Sequence, residues 1–234
     1  MHPARIADLL QPFLQEANDG RLTANDALCK RISTYIDILL HWNARINLTA
    51  IRDPEEIVTR HFGESLFAAR HLFPKLYPVP FVSSVVKDGN VVDVASAQIR
   101  LADLGSGAGF PGLPIKLWAP TIALTLIESN QKKATFLREI TRALTLTDVN
   151  ILNARAEALP PSTFHVVTLR AVERFATILP ASAALLVPGG RLALLISSPQ
   201  LQTAHATLPM FTWEPPTQIP RSDSRYLLSG MKPV

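Results

Sequence analysis

Positions 101–112 read Leu-Ala-Asp-Leu-Gly-Ser-Gly-Ala-Gly-Phe-Pro-Gly, an acid followed by glycines at alternating positions. Glycine there lets the backbone take positive φ and approach a ligand closely. Two fingerprints overlap on these residues. Gly107, Gly109 and Gly112 fit G-x-G-x-x-G, whose loop and following helix N-terminus hold a pyrophosphate. Asp103, Gly105, Gly107 and Gly109 fit D-x-G-x-G-x-G instead. Charge separates the two. A carboxylate at the strand end repels a pyrophosphate, but it suits S-adenosylmethionine, which brings an ammonium, a sulfonium and no phosphate. Glu128 ends the next apolar run, IALTLIE, nineteen positions after Gly109, where a carboxylate can accept hydrogen bonds from two ribose hydroxyls. Both cofactors carry such riboses, so Glu128 indicates a nucleoside without choosing between them.

The remaining reactive side chains limit the acceptor. Methylation at a pyrimidine C5 needs a thiolate, and the only cysteine, Cys29, lies among Ala27, Leu28 and Ile32 in an apolar helical pattern far from the loop. Exocyclic-amine methylation calls for a polar residue and prolines after the fourth strand, whereas FHVVTL is followed here by Arg170-Ala171-Val172-Glu173. An acceptor with a free lone pair, such as guanine N7, needs no proton removed, so alignment with the methyl group supplies much of the catalysis. A small-molecule amine or thioether acceptor fits the same residues equally well. A nicotinamide oxidoreductase would need a pair such as Tyr-x-x-x-Lys, and Tyr77 and Tyr226 lack that partner. Arg170 is suited to grip a carboxylate or a phosphate in bidentate fashion. As a charge at the site edge it is expected to be removable by Arg170→Ala without loss of the fold.

Elements that would position these residues follow from periodicity. Ile6, Leu9, Leu10, Phe13 and Leu14 recur at helical spacing, and Thr23 with Asp26 resembles a capping box before Leu28, Ile32, Tyr35, Ile36, Leu39 and Leu40. Asp53 before Pro54 starts a third helix through Ile57, Val58, Phe62 and Leu66 towards His71. Residues 1–76 therefore form a helical subdomain. Residues 77–99, with Pro78, Pro80, Ser83, Ser84 and Gly89, form an insertion or linker in which VVDV is a short strand. From residue 100 to 234, LADL, IALTLIE, VNILNA, FHVVTL and RLALLIS alternate with helical segments such as 131–144 and 175–187, the pattern of βαβ units around a mainly parallel sheet. YLLSGMK supplies a last strand at the sheet edge, paired with RLALLIS or its neighbour.

The chain has 234 residues, 47% apolar, enough for one full-sized core. Residues 1–75 balance nine Lys/Arg against nine Asp/Glu, so the net charge of +4 arises in residues 76–234. Such a surplus is compatible with RNA phosphates but weak by itself. One cysteine allows neither a disulfide framework nor a cysteine-rich metal site, and no metal is expected. No signal-peptide run and no stretch of about 18 apolar residues occurs, so a cytoplasmic protein without a membrane partner is expected, and nothing demands more than a monomer.

The segments HWNARINLTAIRDPEEIVTRHFGESL, LADLGSGAGFPGLPIKL, ESNQKKATFLREI and TLRAV together resemble the small-subunit ribosomal RNA methyltransferase G family (RsmG, also called GidB) over most of the chain except about residues 77–98. The resemblance implies an α/β, Rossmann-like class I S-adenosylmethionine-dependent methyltransferase with a seven-stranded sheet and an N-terminal helical extension. It also implies formation of 7-methylguanosine in 16S ribosomal RNA or the small ribosomal subunit. The family's donor contacts fall on Gly105, Phe110, Ala156, Glu157 and Arg170, with Ala156-Glu157 near the adenine. Asp103, Gly107, Gly109 and Glu128 join them from the physical reading. Arg170 would position donor or RNA. Lys132, Lys133, Arg138 and Arg142 are candidates for RNA phosphates, and Asn47, Arg52, Arg60 and His61 for helix capping or RNA docking. The family's RHILDSL-like run stands here as RHFGESL, expected to alter only a helix surface.

Overall fold

A computed structural model describes residues 1–15, 24–74, 84–87, 90–93, 98–172 and 174–234. Helix α1 (Pro3–Leu14) buries Ile6, Leu9, Leu10, Phe13 and Leu14, the periodic set expected. Helix α2 (Asp26–Asn43) is capped by Asn25, whose side chain accepts from the Leu28 amide at 2.8 Å. Thr23, the expected cap, lies outside the described residues. The third rod begins as α3 (Pro54–Glu56), capped by Asp53, and ends as α4 (Glu64–Leu72). Between them Ile57–Gly63 winds as a π-helix, which no sequence signal announced. A π-segment advances the side chains by a different angle from an α-turn and recurs at functional sites.

A backbone hairpin of β1 (Ser84–Lys87) and β2 (Asn90–Asp93) contains the short strand expected from VVDV. Pro78, Pro80, Ser83 and Gly89 lie outside the described residues. The main sheet then follows as β3 (Arg100–Leu104), α5 (Gly112–Trp118), β4 (Ala123–Ile127), α6 (Gln131–Ala143), β5 (Val149–Leu152), β6 (Phe164–Arg170), α7 (Phe175–Leu185), β7 (Leu186–Ser197), α8 (Ser198–Thr207), β8 (Thr212–Trp213), β9 (Thr217–Gln218) and β10 (Arg225–Met231). Its order is β5-β4-β3-β6-β7-β10-β8, with β9 also on β10. The first five strands are parallel, and β10 runs antiparallel to β7.

The sheet thus has eight strands where seven were expected. Strand β10 is not an edge, because β8 and β9 pair along its far side. Both are only two residues long, too short for an alternating pattern to be read. The chain winds outward from β3 to β5 and then resumes at β6 on the other side of β3. That reversal opens a crevice at the carboxyl ends of β3 and β6, the usual ligand position in open α/β sheets.

The two faces of the sheet bury different partners. Leu101, Leu124, Leu126 and Val166 face a core shared with the helical extension, α5 and α6, through Ile32, Tyr35, Phe62, Trp118 and Phe136. Ala102, Val167, Leu169, Leu192 and Leu194 face α7 and α8 through Leu179, Leu185 and Ala204. Alternation along each strand divides the residues between these layers. Among the described residues no helix is long and apolar enough to cross a membrane.

Candidate functional site

After β3 the backbone turns through Gly105, Gly107 and Gly109, with φ of +66°, +53° and +87°. A side chain at these values is strained, which is the reason for glycine here. The loop is fixed to the neighbouring strand, since the Gly105 and Ser106 amides donate to the Ile127 carbonyl at 2.9 and 3.3 Å. Glu128, 6% exposed, closes the turn by accepting from the Gly107 amide at 2.9 Å and the Asn130 amide at 2.7 Å. A carboxylate has about four lone-pair sites, so two such bonds leave capacity for a ligand.

Asp103 does a different job from the one its charge suggested. It is fully buried, accepting from Thr168 Oγ1 at 2.8 Å and from the Gly112 amide at 3.2 Å. Burial pushes its carboxyl up to about 6, and those hydrogen bonds pull the other way. Its contacts tie β3, β6 and the first turn of α5 together, so it shapes the loop from behind. A Cβ at Gly112 would come within 2.9 Å of the Asp103 Cβ, so the last glycine makes room for this strut.

In front of the loop lies a cleft of about 420 Å³, lined by Gly105, Ile127, Ser129, Ala156, Glu157 and Arg174 among others. Of the expected residues it gathers Gly105, Ala156 and Glu157, with Glu128 directly between lining residues Ile127 and Ser129. Arg155, Arg174 and Thr177 line it without having been singled out. Arg155 directly precedes Ala156 and Glu157, the pair that the resemblance brought. Arg174 enters α7 with φ of +54°, a turn after β6 that periodicity does not foretell.

Gly109 and Phe110 face the helical extension. A Cβ on Gly109 would sit 2.3 Å from Tyr35 Oη, and that hydroxyl donates to the Ala108 carbonyl at 2.6 Å in a fully buried contact. The Phe110 ring stacks on Tyr35 (centroids 5.4 Å) and on His61 (4.7 Å), with Phe62 edge-on at 5.1 Å. What Phe110 can offer a donor is therefore its backbone, the ring being committed to the core.

Arg170, the last residue of β6, is enclosed, with its side chain 11% exposed. Its Nη2 lies 3.2 Å from Glu64 Oε2, donates to the Arg60 carbonyl at 2.7 Å and meets His61 Nδ1 at 2.9 Å. The guanidinium also lies 5.9 Å from the Phe110 ring centre. With Nδ1 facing a permanent donor, His61 is neutral with its proton on Nε2, donating to Thr49 Oγ1 at 2.8 Å. Burial first, then the arginines, lower it to about 3. Arg170 is thus an interior charge and not one at the site edge, and Arg170→Ala would take one of three guanidiniums from a buried carboxylate.

Glu64 corrects a second expectation. Its side chain is 2% exposed, and Arg60 Nε, Arg170 Nη2 and Arg225 Nη2 approach it at 3.4, 3.2 and 2.5 Å. Burial pushes its carboxyl up while the three arginines pull it down. Neighbouring Gly63 lies against the Phe13 ring, where a Cβ would meet carbon at 2.6 Å. The RHFGESL departure is thus an interior change. The π-segment turns Gly63 and Glu64 inward from a rod that sequence alone presents as having an outer face.

The other candidates stay apart from the cleft. Asn47 and Arg52 are exposed, and the turn after α2 is organised by buried Asn43, which receives the Leu48 and Thr49 amides and donates to the Thr49 carbonyl. Lys132, Arg138 and Arg142 are exposed on α6, with Lys133 half-buried. Cys29 is buried in the helical core, where burial pushes its thiol up, so it offers no thiolate to the cleft. Among the described residues no group of three or more His, Cys, Asp or Glu could hold a metal ion.

Comparison with known proteins agrees with this architecture. A family model described as rRNA small subunit methyltransferase G matches residues 28–79 and 80–210. The chain is 39% identical over 180 residues to Ribosomal RNA small subunit methyltransferase G of Halorhodospira halophila, covering 77% of this chain and 74% of that protein. It is 38% identical over 189 residues to the protein of that name from Stenotrophomonas maltophilia, covering 80% and 76%. Among solved structures, a predicted O-methyltransferase of Agrobacterium tumefaciens superposes with a TM-score of 0.52 at 27% identity, over 59% of this chain and 76% of that one. With the fold, the glycine loop and these matches in agreement, the chain belongs to the rRNA small subunit methyltransferase G family.

Proposed function

We propose that this protein transfers a methyl group from S-adenosylmethionine to N7 of a guanine in 16S ribosomal RNA. The observation that supports the reading is the composition of the crevice, where a cleft opens in front of the glycine loop and the guanidinium groups of Arg170 and Arg225 stand at the same carboxyl edge of the sheet. The donor fits this chain's residues. A cleft of about 420 Å³ lies within the range of cofactor pockets, and a Cβ at Gly105 would press on Val172 Cγ1 at 3.0 Å from a backbone with φ of +66°. The Gly105 backbone and Glu128 would hold the nucleoside and methionine parts, with Ala156 and Glu157 at the adenine. When bound, S-adenosylmethionine supplies a methyl group activated by its sulfonium.

The chain's own contribution is alignment. Guanine N7 presents a lone pair, so no group has to remove a proton, and effective concentration supplies most of the acceleration. The ionisable side chains beside the loop are consistent with that economy. Asp103 is buried behind the turn, and both His61 nitrogens are engaged. The family's name for its substrate supports ribosomal RNA as acceptor, and Arg170, Arg60 and Arg225 supply positive charge at the same end of the sheet.

The test is a transfer assay with radiolabelled S-adenosylmethionine and small ribosomal subunits from cells lacking this activity, followed by nuclease digestion and nucleoside identification. Label in 7-methylguanosine of 16S RNA is the expected result. Donor binding with no label in RNA would move the acceptor to a small molecule, and label in another nucleoside would overturn the N7 assignment.

A further inference from the structure

The arginine cluster at the carboxyl edge holds more positive charge than the fold consumes. Arg170 ends β6 and stands opposite Leu195 of β7, while Arg225 opens β10 opposite Ser197, the last residue of β7. Arg60 comes from the π-helical segment of the rod packed beside them. Three elements distant in sequence therefore deliver three guanidiniums to one spot. Among the described residues Glu64 is the buried carboxylate in ion-pair reach of all three, Asp103 acts on Arg170 from farther off behind the loop, and Glu56 approaches Arg60 at 3.9 Å from the exposed rim. In direct ion pairs, three guanidiniums thus share Glu64 and the exposed Glu56, with Asp103 beyond ion-pair distance, and His61 adds no charge because it stays neutral.

The cluster is also graded in accessibility. Arg170 is enclosed, whereas the side chains of Arg225 and Arg60 are 20% and 43% exposed. Arg60 Nε is shut off from solvent and faces Glu64 Oε1 at 3.4 Å. Arg225 uses Nη2 on Glu64 and Nε on Ser222 Oγ at 3.2 Å. A guanidinium carries five N–H donors, so both of these partly exposed residues keep donors beyond those engaged. Fork-shaped donors with an excess of charge match the oxygens of a phosphodiester.

We propose that Arg60 and Arg225, backed by Arg170, form a phosphate-binding subsite that takes a backbone phosphodiester of the RNA strand beside the target base. This rests on the ribosomal RNA reading above. Glu64 then serves as a fixed internal counter-charge, holding the guanidiniums in place before RNA arrives while leaving a net attraction for one phosphate.

The test measures binding of transcribed 16S RNA by filter retention across a series of KCl concentrations, for wild type, Arg60→Gln, Arg225→Gln and the charge-keeping Arg60→Lys and Arg225→Lys. Each lost phosphate contact should lower the slope of log affinity against log salt by about 0.7 for a single strand. The Gln variants are expected to bind RNA severalfold more weakly with that reduced slope, with donor affinity unchanged by calorimetry, and the Lys variants to keep the wild-type slope. In wild-type protein, RNA and not S-adenosylmethionine should protect Arg60 and Arg225 from phenylglyoxal, a readout independent of any variant's folding. Unchanged slopes without protection would overturn the subsite while leaving the ribosomal RNA reading intact. Donor affinity falling in step would overturn it by assigning the arginines to the donor. A wild type that neither binds nor methylates RNA would remove the parent reading as well.

Discussion

Replacing Glu64 by glutamine tests whether the helical extension is joined to the sheet by a buried charge. The substitution keeps the volume and one carbonyl acceptor but takes from Arg170, 11% exposed, and Arg225, 20% exposed, the carboxylate with which both form ion pairs. Breaking a buried ion pair by removing one partner costs about 3–5 kcal/mol, because the surviving charge is desolvated and uncompensated. Arg60, 43% exposed, contributes little to that figure since water screens it. A chain of this size loses about 2–4 °C of Tm per kcal/mol, so Glu64→Gln should lower Tm by about 6–20 °C in a thermal scan followed by circular dichroism. A partner substitution identifies the cause. Arg225→Gln removes one of the stranded charges, so Glu64→Gln with Arg225→Gln should cost less than the sum of the two single changes, by about 0.5–3 kcal/mol. A Tm within about 1 °C of wild type for Glu64→Gln, or strict additivity in the cycle, would refute the assignment of Glu64 as the common counter-charge.

Three further outcomes are expected. Tyr35→Phe leaves the buried Ala108 carbonyl without its donor, which should cost about 1–3 kcal/mol in urea unfolding and weaken donor binding severalfold in calorimetry; unchanged donor affinity would separate the extension from the loop. Gly105→Asp forces a side chain onto a φ of +66° against Val172, so donor binding should vanish, and measurable affinity would remove the loop from the donor site. Stability should fall on acidification because His61 is held at about 3 in the folded chain, while the unfolded chain takes up a proton below about 6.5. That loss is about 2 kcal/mol between pH 6.5 and 5. Asp103, raised to about 6, acts with the opposite sign between about 6 and 3.9, where the folded state holds the extra proton. His61→Gln should therefore make the urea midpoint less acid-sensitive than in wild type; an identical pH profile would show that His61 does not govern it.

The sequence by itself determined the repeating parts of this protein. The apolar runs at β3, β4, β6, β7 and β10 and the 3.6-residue spacing of α1, α2 and α6 are local signals, since burial on a strand or a helix imposes its own period. The glycine loop was legible for the same reason. A positive φ at Gly105, Gly107 and Gly109 is a local backbone demand that only a short list of residues meets. Resemblance brought Ala156 and Glu157, which no period marks out.

Tertiary structure decided what the charged and aromatic residues do. Asp103 was legible as an acid at a strand end, but only the packing of β6 and α5 supplied Thr168 and the Gly112 amide and turned it from ligand-facing to loop-bracing. Phe110 could be placed on the loop, yet its ring belongs to Tyr35 and His61 of the extension. Arg60, Glu64, Arg170 and Arg225 are spread over more than 160 positions and meet because the sheet order brings β6, β7 and β10 together and the π-segment turns Glu64 inward. An isolated charge in a sequence reads as surface, because solvation is its default state. Whether it is buried depends on where its counter-charges are carried by the rest of the chain, and no local period records that.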